Sequence, residues 1–359
     1  MPVLPVILIL ALLIFVHELG HFLAARLQGI YANRFSIGFG PVLWRYQGKQ
    51  TEYALRALPL GGFVGFPDDD PDSEIPPNDP NLLRNRPVMD RAIVISAGVI
   101  ANLLFAYFVL TLQVGTVGIK TPVFDGVTLP DVIAGSVAEQ VGLQKGDRVL
   151  SVNAIEFQNS SAPVHDILRQ EIENHPNQLL KFKVQRQEQI LNIQATPALK
   201  DGKGRLGIAL QPHLKQIVWQ HPKNPLEVFT LGAAEFNQAT SRVVQVFLSL
   251  FSNFSQTSKQ VAGPVEIVRQ GASIAKQHPS DLFAFAALIS INLAIINILP
   301  LPALDGGQLM FILFEAIFGK PIPKRFEESV MQTGLVMLLG LGVILIIRDT
   351  ANWIGVIKQ

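Results

Sequence analysis

Residues 2–26 have the sequence PVLPVILILALLIFVHELGHFLAAR, an apolar run that ends at Arg26 and contains three further ionisable residues, His17, Glu18 and His21. A helix that spans a bilayer needs about 20 consecutive apolar residues, and this run is long enough. Ionisable groups in hydrocarbon are costly unless they are paired or bind an ion. The stretch therefore predicts a membrane helix that contains a functional site.

The composition of the whole chain is that of a polytopic membrane protein. Its 359 residues are 49% hydrophobic and 16% charged, with a mean hydropathy of +0.33. This is too apolar for an ordinary soluble protein. A net charge of +1 without a concentrated basic patch argues against nucleic-acid binding. Because the chain has no cysteine, any metal ion must be held by His, Asp or Glu.

Four apolar runs are candidates for transmembrane helices, namely residues 2–26, 92–119, 282–304 and 329–347. The first run also resembles the apolar core of a signal peptide. No positive residue precedes Arg26, however, and no small-residue cleavage site follows the run. We therefore expect it to remain as the first span.

Lys and Arg in short loops predict the orientation of the spans. Basic residues are concentrated between the first two spans and again between the last two; they are Arg34, Arg45, Lys49, Arg56, Arg84, Arg86, Arg91, Lys320, Lys324 and Arg325. Both loops should face the cytoplasm, with residues 120–278 outside. The histidine pair and Asp305 should then lie at similar depth, at the cytoplasmic ends of the first and third spans.

The predicted outside segment contains one compact domain followed by helices. Residues 129–197 show a pattern of strand (130–133), short helix (135–143), strand (148–153), helix (about 162–174) and hairpin (180–185 against 190–194). From residue 225 to about 256 apolar residues recur at helical spacing, which predicts an amphipathic helix on the membrane surface. A fifth span is the competing interpretation, although Glu235 and Arg242 interrupt it.

His17 and His21 stand four residues apart, so both imidazoles project from one helix face and can share a metal ion, with Glu18 beside it. In a soluble protein this spacing also occurs on solvated helix faces, but the membrane location leaves only an ion or proton pathway as the alternative. A catalytic zinc ion requires a third protein ligand and one open position.

Asp305 is the candidate third ligand. It lies in NILPLPALDGG, residues 297–307, whose two prolines and two glycines prevent a plain helix. Unwound backbone at membrane depth survives only where protein or water satisfies it, as in an active site. The alternative is a turn at the cytoplasmic end of a helix, with a solvated carboxylate.

The segments HELGH (17–21), NILPLP (297–302) and LDGG (304–307) together resemble the site-2 protease family of intramembrane zinc metalloproteases. Residues 135–153 resemble a circularly permuted bacterial PDZ domain. Within the family the chain is most similar to the branch of the regulator of sigma-E protease, with a single PDZ-like domain where that protein has two. One-domain layouts also resemble cyanobacterial, Gram-positive and plastid members.

The resemblance implies a polytopic α-helical membrane protein with four transmembrane helices, a membrane-reentrant β-hairpin and an inserted extracytoplasmic α+β PDZ-like domain. The expected domains are the N-terminal half of the protease core (1–118), the PDZ-like domain (119–215), an amphipathic helical segment (216–278) and the C-terminal half of the core (279–359).

The resemblance also implies roles for individual residues. His17, His21 and Asp305 would bind Zn²⁺, and Glu18 would be the general base. Asn297 would stabilise the oxyanion or orient the substrate. Two further residues, Asn292 and Pro302, would shape the same wall.

Two further segments would bind substrate. Residues 37–65 resemble the family's reentrant hairpin, in which Gly61 and Gly62 would contact an unwound substrate. Leu206, Gly207 and Ile208 would form the peptide-binding strand of the PDZ-like domain, which either captures peptide or substrate termini or acts as a plug or size filter. Ser96, Gly98 and Asn102 in the second span resemble the family's close-packing segment beside the catalytic helix. The alternative, which we prefer, is ordinary packing of small residues between helices.

The implied function is hydrolysis of peptide bonds within or near the transmembrane helices of single-span, membrane-tethered regulators such as anti-sigma factors. Cleavage would follow a prior cut by another protease. The protein would lie in a bacterial inner (plasma) membrane, or in a thylakoid or plastid membrane, in contact with lipid and without nucleic acid. A zinc or proton transporter is a second hypothesis, although no internal repeat is visible. An inactive scaffold would require a broken motif, and the motifs are intact.

Overall fold

The computed structural model describes residues 2–70, 73–253 and 262–357. The chain forms two compact units: residues 1–116 together with 222–359, and residues 117–221. We call the first the membrane unit and the second the inserted unit.

The helices are α1 (Val3–Leu27), α2 (Val88–Thr116), α3 (Val137–Gln140), α4 (Val164–Asn174), α5 (Pro225–Ser252), α6 (Pro264–Gln277), α7 (Leu282–Ile298), α8 (Asp305–Phe318) and α9 (Lys324–Ile357). The strands are β1 (Arg34–Gln47), β2 (Glu52–Gly65), β3 (Ile119–Thr128), β4 (Arg148–Val152), β5 (Ile155–Glu156), β6 (Gln158–Ser160), β7 (Leu180–Arg186), β8 (Gln189–Ala195), β9 (Ala198–Lys200), β10 (Lys203–Arg205) and β11 (Gln211–Gln220).

Among the described residues, four helical segments are long and apolar enough to cross a membrane: Val3–Leu27, Val88–Thr116, Pro279–Ile298 and Lys324–Ile354. They correspond to the four predicted spans, but several ends differ; the second helix begins at residue 88 instead of 92, and the fourth covers 324–354 instead of 329–347. The second helix stops at Thr116 instead of residue 119, because Gly118 takes a left-handed φ of +92° before β3 begins. The third stops at Ile298 instead of residue 304, since the prolines that follow cannot continue the helical hydrogen bonds.

Small and polar residues bring α1, α2 and α7 together. At Gly20 of α1 an added Cβ would lie 2.4 Å from the carbonyl oxygen of Ala97 in α2, so the two backbones are in close contact. The buried hydroxyl of Ser290 in α7 donates to the carbonyl oxygen of Asn102 in α2 at 2.8 Å. Such contacts replace the hydrophobic driving force that is absent between helices in lipid.

Helix α5 packs lengthwise and antiparallel against the C-terminal half of α2. Gly232 lies against Thr111, and the rings of Phe236 and Tyr107 are 6.1 Å apart. Val243 joins a buried apolar cluster with residues of α2 and α7. The helix agrees with the predicted one over 225–252, whereas residues 254–256 of that prediction lie outside the described part. Because α5 runs alongside a membrane-spanning helix, the prediction that it lies flat on the membrane surface is wrong for this part of the helix.

Strands β1 and β2 form an antiparallel hairpin whose long strands bend. Residues 34–37 pair with 62–65 and also with 52–55, while residues 44–47 pair with 52–55 from the other side. The hairpin therefore curls on itself, and the segment 62–65 lies along one of its edges. This segment approaches α1 at Glu18, and the rings of Phe35 and Tyr53 in the hairpin also contact Phe22 of α1.

The inserted unit contains a sheet in the order β11-β3-β4-β7-β8, with β5 paired to β4 and β6 to β3. Its core packs α3 and α4 against the sheet through side chains such as Val149, Phe157, Leu168 and Phe182. The predicted hairpin of β7 and β8 and the predicted helix α4 are confirmed.

Three details of the inserted unit differ from the sequence prediction. The expected strand at 130–133 is an isolated bridge between Val132 and Ile208. The expected helix at 135–143 is reduced to the single turn α3, because Gly135 and Gly142 take left-handed φ values on either side. Strand β11 continues past residue 215, the expected domain end, because it pairs along the whole of β3.

Candidate metal centre

Three side chains of the membrane unit converge on one point. The Nε2 atoms of His17 and His21 are 3.2 Å apart, and Oδ2 of Asp305 lies 3.3 Å from the first and 3.4 Å from the second. The two histidines come from α1, whereas Asp305 is the first residue of α8. The three atoms form a nearly equilateral triangle.

This triangle fits a zinc ion. Zinc–ligand bonds of about 2.0–2.1 Å in a tetrahedral site place the ligand atoms about 3.3–3.4 Å apart. Within the described ranges, the buried Oδ2 of Asp305 accepts no hydrogen bond. When both histidines are neutral with the proton on Nδ1, the two Nε2 atoms and this carboxylate oxygen offer lone pairs to one another, which is unfavourable without a cation between them. Two imidazoles and one carboxylate leave the fourth position of a catalytic zinc site open.

The loop before α8 positions Asp305. Ala303 takes a left-handed φ of +69°, which is rare for a residue with a Cβ. An added Cβ at Gly306 would lie 2.2 Å from the carbonyl oxygen of Leu299, and one at Gly307 would lie 2.4 Å from that of Leu301. The two glycines are therefore required because the unwound loop folds directly onto the first turn of α8.

Helix α2 supports the histidine pair. An added Cβ at Gly98 would lie 2.3 Å from His21 Nε2 and 2.7 Å from His17 Cε1. The carbonyl oxygen of Val94 accepts a hydrogen bond from His21 Nδ1 at 2.8 Å, and the side chain of Asn102 contacts His17 Nδ1 at 3.3 Å. The preferred interpretation of Gly98 and Asn102 as ordinary helix packing is therefore wrong. The available signal was their spacing of four residues on α2.

The hairpin approaches Glu18, the residue between the two histidines. A Cβ added at Gly62 would lie 2.8 Å from Glu18 Cγ and 2.9 Å from the carbonyl oxygen of Ser36. Gly61 takes a φ of +90° against the ring of Phe39. The segment 62–65 and the carboxylate of Glu18 thus lie side by side.

Asn297 lies at the metal centre, because its Nδ2 atom is 3.3 Å from His17 Nε2. Asn292 is on the same helix but donates to the carbonyl oxygen of Leu288. Asn292 and Asn297 are five residues apart, which separates their side chains by about 140° around the helix axis. The two amides therefore do not share a face. Pro302 lies in the loop before Asp305, where Gly334 of α9 packs against its backbone.

The remaining predicted residues belong to the inserted unit. Leu206 is part of its buried core, with 2% of its surface exposed. Gly207 takes a φ of +81° against Ser136, and Ile208 pairs with Val132. Their backbones are thus joined to the segment 131–138 along one edge.

The membrane unit contains a cavity of about 780 Å³ lined by residues of α2, α8 and α9. Its lining includes Ile95, next to Val94 on α2, and Gln308, one turn beyond Asp305 on α8. Arg91 and Glu315 in the same lining form an ion pair at 2.5 Å that joins α2 to α8. Polar and charged groups thus line this cavity, but none of the three candidate metal ligands is among its lining residues.

The chain is similar to known proteins over nearly its whole length. The family model described as "Peptidase family M50" matches residues 5–341. A protein of Nostoc sp. named "Putative zinc metalloprotease all3971" is 56% identical over 98% of this chain and 96% of its own length. "Membrane metalloprotease ARASP, chloroplastic" of Arabidopsis thaliana is 45% identical over 98% of this chain and 79% of its own length.

A solved PDZ domain of the SdrC-like protein from Listeria monocytogenes covers 24% of this chain and 88% of its own at 21% identity, with a TM-score of 0.21. A TM-score this low does not establish a shared fold.

Proposed function

Since this chain belongs to peptidase family M50, the site-2 protease family, and is a membrane zinc metalloprotease, we propose that His17, His21 and Asp305 hold its zinc ion and that Glu18 is its general base. The observation that carries the proposal is the triangle of ligand atoms with sides of 3.2–3.4 Å, built from residues at opposite ends of the sequence. Its substrates are peptide bonds within or beside transmembrane helices.

A zinc ion held there lowers the pKa of a water molecule and polarises the carbonyl of the scissile bond. The carboxylate of Glu18 accepts a proton from the attacking water and later delivers it to the nitrogen of the leaving amine. Two features support this role. Glu18 follows His17 directly on the helix, and Gly62 leaves space for its side chain beside the hairpin.

The amide of Asn297 stabilises the negative charge that develops on the carbonyl oxygen. Its Nδ2 atom is close enough to the ligand triangle to donate to a substrate oxygen there. A donor aimed at this oxygen typically contributes about 10²–10³ in rate. Pro302 shapes the wall of the site through the loop that carries Asp305, and we assign Asn292 to the same wall only as a prediction.

The hairpin of β1 and β2 enters the membrane and binds the substrate. A transmembrane helix hides its carbonyl groups in its own hydrogen bonds, so the substrate must unwind before it can be cut. An extended substrate that pairs with residues 61–65, which begin with Gly61 and Gly62, regains hydrogen bonds next to Glu18. Helix-breaking residues near the cleavage site should therefore favour hydrolysis.

The inserted unit contains the PDZ-like domain, with 119–215 as its proposed range, and lies outside the cytoplasm. Residues Leu206, Gly207 and Ile208 either bind a peptide terminus or belong to a filter that excludes bulky substrates. Cleavage then follows a first cut by another protease, as expected for membrane-tethered regulators such as anti-sigma factors. If deletion of residues 129–210 leaves full-length, uncut substrate untouched, the filter proposal is contradicted.

The test is reconstitution of the full-length protein in lipid with single-span test peptides. The Glu18→Gln variant should retain zinc and lose cleavage, and zinc removal should stop wild-type cleavage until zinc is restored. Glu235→Gln on α5 is the matched control and should keep both properties. Wild-type cleavage that survives zinc removal, or cleavage by Glu18→Gln at the wild-type rate, would contradict the proposal.

A further inference from the structure

One face of α2 contacts both histidines at Nδ1, the ring nitrogen that does not face the proposed metal ion. Val94, Gly98 and Asn102 are four residues apart and lie on this face. The carbonyl oxygen of Val94 is 2.8 Å from His21 Nδ1, and the amide of Asn102 is 3.3 Å from His17 Nδ1. Gly98 between them leaves the space for the two rings.

The partner at Nδ1 decides which nitrogen of a histidine can bind a metal ion. A carbonyl oxygen only accepts hydrogen bonds, so Val94 requires the proton of His21 to be on Nδ1. The Nε2 atom of His21 then keeps its lone pair for the metal ion. If His17 is to bind the same ion through Nε2, its proton must also be on Nδ1, and that proton needs an acceptor.

Asn102 contains this acceptor in its amide group. Its Nδ2 atom now lies beside His17 Nδ1, while its Oδ1 atom is buried and accepts no hydrogen bond from the described residues. A half-turn of the amide exchanges the two atoms with little other movement. This half-turn places an oxygen beside Nδ1 and gives the unpaired Oδ1 a donor.

We propose that in the zinc-bound protein Asn102 Oδ1 accepts the hydrogen bond from His17 Nδ1 and so acts as the positioning residue of this ligand. The inference rests on the proposed ligand set and adds the residue that orients one member of it. Asn102 is fully buried, and its backbone oxygen is held by Ser290. Because Asn102 is fully buried, water cannot take the place of the histidine beside its amide.

The experiment compares the zinc affinity of the purified, full-length protein and its variants by competition with a chelator. Loss of such an outer partner typically costs about 10- to 100-fold in metal affinity. Asn102→Leu preserves the size of the side chain without the acceptor and should lose this amount. Asn102→Asp retains an acceptor and should bind zinc more tightly than Asn102→Leu, within about tenfold of the wild type.

Ser290→Ala is the matched control, because it removes a buried hydrogen bond at the same position of α2 but leaves the amide intact. It should lower the unfolding temperature without changing zinc affinity. Cobalt substituted for zinc gives a second readout. Its visible absorption should change in Asn102→Leu and stay as in the wild type in Ser290→Ala.

A folded Asn102→Leu protein with wild-type zinc affinity and cobalt spectrum would overturn the inference. So would an Asn102→Asp protein that binds zinc no better than Asn102→Leu, since Asn102 would then serve as a donor. If Asn102→Leu does not fold, a folded Asn102→Asp protein that has lost more than about 100-fold in affinity overturns the inference as well. Zinc binding unaffected by His17→Ala would instead refute the ligand set itself.

Discussion

Replacing Gly98 by alanine should remove zinc from the centre. The added Cβ would lie 2.3 Å from His21 Nε2, whereas ordinary contact begins at 3.4 Å, so the ring must move by the difference, 1.1 Å. The same Cβ would lie 2.7 Å from His17 Cε1, which prevents escape towards the other ring. Zinc–ligand distances tolerate changes of about 0.2 Å.

A displacement this large removes at least one of the three protein ligands. We expect zinc affinity to fall by at least about 100-fold, which corresponds to about 2.8 kcal/mol of binding free energy. Separation of α1 from α2 would relieve the overlap instead, at a cost in stability of about 1–3 kcal/mol for an overpacked contact. Either response lowers zinc occupancy, and cleavage of a reconstituted test peptide should fall with it.

The assay measures zinc affinity by chelator competition and stability by thermal unfolding. Gly340→Ala is the control, because among the described residues no atom lies within 4 Å of a Cβ added there. It places the same methyl group on a membrane helix, α9, and should leave both quantities near the wild type. A folded Gly98→Ala protein with zinc affinity within about threefold of the wild type would refute the close contact between α2 and the histidines.

Three further changes test other parts of the molecule. Gly62→Ala should retain zinc but slow peptide cleavage at least about tenfold, because its Cβ would displace Glu18; wild-type cleavage would contradict this. Gly334→Ala should lower zinc affinity, since its Cβ would overlap backbone atoms of the loop before the aspartate ligand, and unchanged affinity would count against that contact. The hydrogen bond from Lys203 holds the pKa of Glu173 below its usual value of 4.5. A carboxylate whose pKa is lower in the folded than in the unfolded protein stabilises the inserted unit at pH values above its unfolded-state pKa. This stabilisation is lost as the pH falls through the folded-state pKa. Lys203→Ala should therefore lower the unfolding temperature at about pH 7 but not at about pH 2, and equal effects at both would contradict the assignment.

The local parts of the fold followed from the sequence pattern. The spans, the helix α4 and the hairpin of β7 and β8 each depend on residues close together in the chain, so hydropathy and periodicity predict them. The pairing of β3 with β11 joins residues about 90 positions apart, and neither strand has a distinctive pattern. The role of Gly98 was missed for a related reason, because a glycine in a membrane helix is as compatible with ordinary packing as with space for a ligand.

The sequence alone determined the chemistry that the site can perform. A helical spacing of four places His17 and His21 on one face, an apolar run places them in a membrane, and Asp305 was the candidate for the missing ligand. Only the tertiary structure decided that Asp305 reaches the pair and that α2 supports it from the other side. Spacing in the chain specifies geometry only within one element, whereas the distance between a ligand on α1 and a ligand on α8 depends on how the helices pack.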